Sequence, residues 1–283
     1  MSSRFFVRLF VEQVESIVQQ FNFSVQLLPG MIQLAKAHQL AGQQHDNLCG
    51  PYWVAMLLRS RGFHQLTPEQ VAQLAGSVLP TGDPKTWLPE RARSRQDYGL
   101  ALPVAAGLGD AGTSAQGLIT AVTQLSNGAY TLLPIQTEWS AARVETILER
   151  CHHPEWNAVP LCNIRTKPLW GSSLPVSDAI AYLNGATITP PPPDWNVGHF
   201  FALAGTVEGS ARSLILTCDT YPSFGWQGYH LQPSDAIAQA LNRGDGNGGG
   251  ILLLIATQDK EDVEQVIRGE GFAIGAWDNG SPS

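Results

Sequence analysis

Cys49 follows Gln43 by six residues, within Gln43-Gln44-His45-Asp46-Asn47-Leu48-Cys49-Gly50-Pro51-Tyr52-Trp53, and the apolar run Val54-Ala55-Met56-Leu57-Leu58 comes directly after. The pattern predicts a cysteine at the start of a buried helix with a side-chain amide just upstream. A helix N-terminus carries unpaired N–H groups and the positive end of the macrodipole, which together favour thiolate over thiol. A glutamine upstream can bring its NH2 beside the cysteine's own N–H. Two donors then face the oxygen that turns negative when a thiolate attacks a carbonyl. A small buried cysteine opening an ordinary core helix has the same local sequence, so the rest of the site must come from elsewhere in the chain.

A second constellation supplies it. From Asn196-Val197-Gly198-His199-Phe200-Phe201 the chain continues through aromatic and branched residues with no charge until Glu208, the pattern of a buried strand. Glu208-Gly209-Ser210-Ala211-Arg212 has turn chemistry, and Ser213-Leu214-Ile215-Leu216-Thr217-Cys218-Asp219 is a second apolar run, so the two predict an antiparallel hairpin. With the turn centred near Gly209 and Ser210, His199 lies opposite about residue 220, at a separation of about 5 Å. Asp219 and Thr220 both stand at that level, and a one-residue shift or a bulge decides which faces the imidazole. The carboxylate is the stronger partner: it accepts from one ring nitrogen, fixes the tautomer and stabilises the imidazolium, while the other nitrogen faces a thiol. Together the two signals point to acyl transfer centred on Cys49 and His199, with Gln43 upstream of the cysteine and Asp219 or Thr220 beside the imidazole.

The elements that must position these residues divide into a helical first half and a strand-rich second half. Phe6, Leu9, Phe10, Val14, Ile17 and Val18 have helical spacing, predicting an amphipathic helix over residues 4–20. Pro29-Gly30 breaks the chain before a short helix leading to Gln43. Thr67-Pro68-Glu69-Gln70 is a helix start, with Thr67 as N-cap, Pro68 at the first helical position, Gln70 reaching back and Gly76 as the stop. Residues 77–112, rich in proline and glycine, read as a long surface loop of the kind that often carries function, and within it Arg91, Arg93 and Arg95 read as a solvated face. Thr113 or Ser114 caps a helix to about Leu125, and another runs from about Ser140 to Arg150. Strands follow at Ala158–Ile164, where Pro160 argues for an edge or a strand start, and at Ile251–Ala256. Pro190-Pro191-Pro192-Pro193-Asp194-Trp195 is a stiff segment leading to His199, with Trp195 a candidate wall of the substrate cleft. The glycines at 246 and 248–250 enter a strand and lack a Gly-Lys-Ser/Thr sequel, so they are no phosphate loop. The last residues, Asp278–Ser283, read as a frayed end.

Composition narrows the partners. At 283 residues, 43% hydrophobic and 14% charged, the chain can bury a sizeable core. The formal charge of −7, with no block of Lys or Arg, argues against nucleic acid and suits a basic or neutral peptide. Four cysteines without the paired spacing of a secreted scaffold point to a reducing compartment, and the charge-interrupted N-terminus reads as neither signal peptide nor membrane span, which makes the cytoplasm the expected location and integral membrane contact unexpected. Cys151-His152-His153 with Cys162 matches no structural zinc spacing, and neither metal nor cofactor is expected.

Gln43, Cys49-Gly50, Gly198-His199-Phe200 and Cys218-Asp219-Thr220-Tyr221-Pro222, in that order, resemble the papain-like cysteine peptidase superfamily. The likeness is closest to the bacterial branch containing the double-glycine leader peptidases, in which Gln-x5-Cys-Gly and a Gly-His-hydrophobic strand recur. The resemblance implies an α+β, two-lobed fold in which a helical lobe presents Cys49 and an antiparallel β-lobe presents His199 and Asp219. The expected organisation is one domain over 1–283, with an N-terminal helical extension (1–40), a helical lobe (41–128), a β-rich lobe (129–270) and a tail (271–283). It also implies cleavage of a peptide or amide bond through a thioester on Cys49. The interval from Cys49 to His199 is far longer than in leader peptidases. Phytochelatin synthases, also papain-like, share Gln-x5-Cys-Gly and Gly-His-Phe, so a transpeptidase or amidase is an alternative expectation. A non-catalytic peptide-binding protein on the same scaffold is another.

Overall fold

Unbroken apolar runs at Phe200–Ala204 and Ile251–Ile255 make strands with both faces covered, because no alternation leaves a side for water. In the computed structural model, which describes residues 23–89, 94–95, 99, 101–107 and 110–282, both are central strands of an α+β fold. In chain order the elements are β1 (Ser24–Leu27), α1 (Met31–Ala41), α2 (Cys49–Ser60), α3 (Pro68–Leu74), α4 (Ala115–Leu125), β2 (Tyr130–Gln136), α5 (Ala141–His152), β3 (Leu161–Arg165), α6 (Val176–Leu183), β4 (Gly198–Glu208), β5 (Ser213–Cys218), β6 (Tyr229–Gln232), α7 (Ser234–Asn242), β7 (Gly250–Ala256), α8 (Lys260–Gly269) and β8 (Ala273–Ile274). The strands form one antiparallel sheet in the order β6-β5-β4-β3-β7-β2-β8, with β1 added to the far half of β4. The helix expected over 4–20 lies outside the described residues.

Local signals account for most helix starts. Thr67 Oγ1 accepts from Gln70 N and Gln70 Oε1 accepts from Thr67 N, a closed capping box that starts α3 at Pro68. Ser114 and Ser140 cap α4 and α5 in the same way through one bond each. Helix α2 is different: Gly50 to Leu58 are all buried, so it passes through the core with no solvent face. It packs on β4, while α4 and α8 pack on β2 and α7 on β3. At its head the approach is so close that a Cβ on Gly50 would lie 3.0 Å from Leu118 and 3.2 Å from the Phe200 ring.

Two strand expectations change. Pro160 lies just before β3, and β3 is flanked by β4 and β7, so the proline marks a strand start in the middle of the sheet and not an edge. The β4/β5 hairpin forms but changes register: Leu203 pairs with Thr217, whereas Gly205 pairs with Leu216, leaving Ala204 as the extra residue of a bulge. Strand β1 runs alongside here. Gln26 O sits where a Cβ on residue 205 would be, 2.2 Å away, so only glycine lets β1 join this edge.

Candidate active site

The bulge sets the level of the hairpin end. Beyond Cys218, the last residue of β5, Asp219 turns its carboxylate to the ring of His199, with Nε2 to Oδ2 at 2.9 Å. Asp219 Oδ1 accepts from Tyr221 N at 3.0 Å and from Thr220 Oγ1 at 3.3 Å. Both residues of the pair are 3% exposed, so water does not compete for these bonds. Cys49 lines the same cleft as His199 and, as a lesser influence than Asp219, favours the charged form of its ring; with Nε2 committed to Asp219, Nδ1 is the nitrogen left unbonded within the pair. Burial by itself pushes the imidazole toward the neutral form, but the charge and bond of Asp219, helped by Cys49, outweigh it and raise its pKa to about 10. For Asp219 burial acts upward, and the attraction of His199 outweighs it, holding the carboxyl below its ordinary value.

Cys49 is the first residue of α2, and Leu48 at the N-cap position offers no side-chain acceptor, unlike the capped starts of α3, α4 and α5. The first-turn N–H groups therefore remain available around the sulfur. All four cysteines are free thiols, but Cys151, Cys162 and Cys218 are fully buried, and burial pushes each of them up, whereas Cys49 reaches the surface of a cleft. That cleft has a volume of about 490 Å3, within the range that holds a small ligand or a peptide segment.

The glutamine register differs from expectation. Gln43 is half-buried and is not among the residues lining the cleft; Gln44 is buried and lines it. Gln44 N donates to Thr220 O at 3.3 Å, Gln44 Oε1 accepts from Thr220 Oγ1 at 2.6 Å, and Gln44 Nε2 donates to Asp46 O at 2.6 Å. Neighbouring residues on this non-helical link point opposite ways, so fixing Gln44 against Thr220 turns Gln43 outward. Two contacts fix the link. Tyr52 Oη bonds His38 Nδ1 and Gly42 O, both at 2.7 Å, tying the end of α1 to α2; His38 is lowered to about 4 chiefly by burial and so stays neutral. Asp46 takes a left-handed φ of +46°, and Arg95 clasps its buried carboxylate while also donating to Pro80 O at 2.6 Å and Gly82 O at 3.0 Å. Arg95 is thus a staple between the long loop and the Cys49 turn and not a solvated loop residue; Arg91 and Arg93 lie outside the described residues.

The loop at 77–112 is pinned at its base, where Val78 bridges Gly112 and Leu79 bridges Val104, and its Pro80, Trp87 and Leu88 form one wall of the cleft. Trp87 Nε1 donates to Asn47 Oδ1 at 3.2 Å. Trp195 forms the opposite wall: its ring stands edge-on to His199 at 5.0 Å, while Tyr221 stacks on His199 at 6.3 Å. Thr166 holds this segment, donating from Oγ1 to Trp195 O and accepting from Val197 N. His45 pairs with Glu69 at 2.8 Å, away from the reacting atoms. The chain end is not frayed over its described part, because Trp277 Nε1 bonds Asn163 Oδ1 and buried Asn279 bonds Thr113 O, which carries Asn279, Gly280 and Ser281 to the cleft rim. Sequence reasoning had no signal for Gln44, Asn163, Arg165 or Arg243 at this cleft, since each is placed by contacts distant in the chain. Among the described residues no group of three or more His, Cys, Asp or Glu is placed to hold a metal ion, and no helix is long and apolar enough to cross a membrane.

A search of curated proteins gives no match. A family match covers residues 28–278, a span that contains Gln44, Cys49, His199 and Asp219 together, and the chain therefore belongs to the family of unknown function DUF6885.

Proposed function

We propose that this protein is a papain-like, cysteine-dependent acyl-transfer enzyme that cleaves a peptide or amide bond. In this reading the helical part of the fold carries the nucleophile and the sheet carries its base, meeting across one cleft. The observation that carries the proposal is His199, held by Asp219 on one nitrogen and sharing one cleft with Cys49, which stands at the uncapped head of a buried helix.

Each step has a residue. At neutral pH the raised pKa keeps His199 as the imidazolium, so Cys49 Sγ attacks the carbonyl carbon as the thiolate paired with it. The oxygen that becomes negative is received by the Cys49 N–H and by the Gln44 amide, which has spent one N–H on Asp46 O and keeps the other. His199 passes its proton to the nitrogen of the leaving amine as the carbon–nitrogen bond breaks, leaving a thioester and a neutral imidazole. Water then attacks the thioester, gives a proton to His199, and the acid departs as the carbon–sulfur bond breaks, restoring the thiolate and imidazolium. An amine or thiol in place of that water gives transpeptidation from the same intermediate. Trp195 and Tyr221 keep bulk water from the His199–Asp219 pair, so the imidazolium faces a full carboxylate charge.

Iodoacetamide at neutral pH, followed by mass spectrometry of the four cysteine peptides, tests the reading. Cys49 is expected to be alkylated fastest, and amide turnover to vanish in step with its modification. Cys49 reacting no faster than Cys151, Cys162 or Cys218 would sink the proposal and leave a peptide-binding scaffold as the better description.

A further inference from the structure

Charge is unevenly distributed around the cleft. Besides His199, the charged side chains lining it among the described residues are Arg165, Arg243 and Asp245, an excess of one positive charge on a chain whose formal net charge is −7. Arg243 is 7% exposed. Its Nε and Nη2 donate to the two carboxylate oxygens of Asp245 at 3.1 and 2.8 Å, and Arg165 Nη1 reaches Asp245 Oδ2 at 3.4 Å. Arg165 is further fixed by Asn196, through Nε to the side-chain oxygen at 2.6 Å and Nη2 to the carbonyl at 2.9 Å. Arg243 Nη1 has no hydrogen-bond partner among the described residues. The arm is not among the buried polar atoms left without a partner, so it opens to solvent in the cleft, where a fixed guanidinium can donate to a ligand.

The backbone adds a second observation. Arg243 has φ +60° and ψ −54°, a region that strains any residue with a side chain. Glycine would hold that geometry without penalty, so the strain is carried to keep an arginine there.

The position is informative as well. Arg165 is the cross-strand partner of Gly198, the residue before His199, and a Cβ on Gly198 would lie 3.3 Å from Arg243 Nη2. Both guanidiniums therefore lie at the end of the sheet where His199 stands, on the Gly198 face of β4, and line the same cleft. His199 serves the departing nitrogen, so the leaving half of the substrate is the part nearest this end of the sheet. Asp245 cancels one of the two cations and fixes both, so what remains matches a single negative charge. We infer that the cleft recognises a carboxylate on the leaving half of a peptide-like substrate through Arg243 and Arg165, an assignment that rests on the acyl-transfer reading of Cys49 and His199. The carboxylate has two sources, the free C-terminus of a short leaving segment and an aspartate or glutamate side chain.

The test uses four matched peptides whose leaving half ends in a free carboxylate, ends in an amide, carries glutamate with an amide end, or carries glutamine with an amide end. Turnover is measured with the wild-type chain and binding with Cys49→Ala. The expected result is a preference of about tenfold or more, in KM and in Kd, for one of the two carboxylate peptides over its neutral match, and the preferred pair names the source. Arg243→Gln and Arg165→Gln should each reduce that ratio about tenfold; Arg165, half-buried, serves where loss of the Arg243 pair impairs folding. Equal handling of charged and neutral peptides by the wild type, or a preference unchanged in Arg165→Gln, overturns the inference while leaving acyl transfer standing. Carboxylate-dependent binding without turnover of any peptide does the opposite.

Discussion

The floor of the cleft and its rim are built by different means. Cys49, His199 and Asp219 belong to the head of α2, the start of β4 and the end of β5, and their polar atoms are satisfied by one another in a dry setting. The rim, formed by the loop after α3 and the link between α7 and β7, is held by arginines that reach across to backbone carbonyls and single carboxylates, as Arg95 does with Asp46, Pro80 and Gly82. In the floor a misplaced atom changes the reaction, because charge develops where the dielectric is low. In the rim it changes first what is held, since these guanidiniums stand outside the Cys49, His199 and Asp219 set. The contrast assigns chemistry to regular structure and selection to loops.

The largest expected effect breaks the floor outright. Cys49→Ala and His199→Ala should each lower amide turnover about ten-thousand-fold or more, with the midpoint of thermal unfolding of Cys49→Ala nearly unchanged, as read by turnover assays and calorimetry. A Cys49→Ala chain that unfolds early and still turns over substrate would make Cys49 a packing residue. Next comes the oxyanion donor: Gln44→Ala should lower kcat about 100- to 1000-fold with little change in KM, while Gln43→Ala stays close to wild type. Equal loss in both would mean that the lining of the cleft does not decide the donor.

Asp219→Asn sharpens the comparison through pH. His199 is raised from 6.5 to about 10, so its contribution to stability is complete below pH 6.5 and is lost as pH rises through that raised value. Asp219 is lowered from 3.8, so its contribution is present above pH 3.8 and is lost as pH falls through the depressed value. Chemical denaturation across pH should therefore show the largest gap between wild type and Asp219→Asn from pH 3.8 to 6.5, narrowing on both sides. Turnover should fall about tenfold or more, and its alkaline limit should move to lower pH as the imidazole loses its anionic partner. A gap independent of pH would deny the ion pair. The smallest effect on kcat belongs to the rim: Arg95→Gln removes the Arg95 clasp on the buried Asp46 carboxylate, which should lower stability, read by urea titration, by about 3 kcal/mol at most, and raise KM more than it lowers kcat.

What the sequence made legible follows the range of the forces involved. The capping box of α3 closes over three residues, and Thr67, Pro68 and Gln70 announce it fully. The hairpin placed His199 level with Asp219 or Thr220, but the bulge at Ala204 that shifts the pairing has no local turn signal, and it lies beside Gly205, which Gln26 approaches from a strand at the other end of the chain. Gln43 and Gln44 are chemically identical in sequence, and Thr220 alone distinguishes them. Arg243 and Asp245 hid in a glycine-rich link because their meaning lies in Gly198 and Arg165, not in their neighbours. The frayed-end reading of Asp278–Ser283 missed Asn279 for the same reason, since the carbonyl that captures it belongs to Thr113.

The complete burial of α2 ties reactivity to the act of folding. A helix with no solvent face cannot hold its place beside a half-formed sheet, and the bond from Thr220 to Gln44 closes a loop of 176 residues before the donor is set. Amide protons of residues 54–58, beyond the first turn of α2, should then exchange only when the whole molecule opens, with the same free energy as global unfolding. On the proposed chemistry the thiol therefore gains its activating surroundings late and all at once: a chain still emerging from synthesis, or partly unravelled by heat, holds the cysteine but not the site around it.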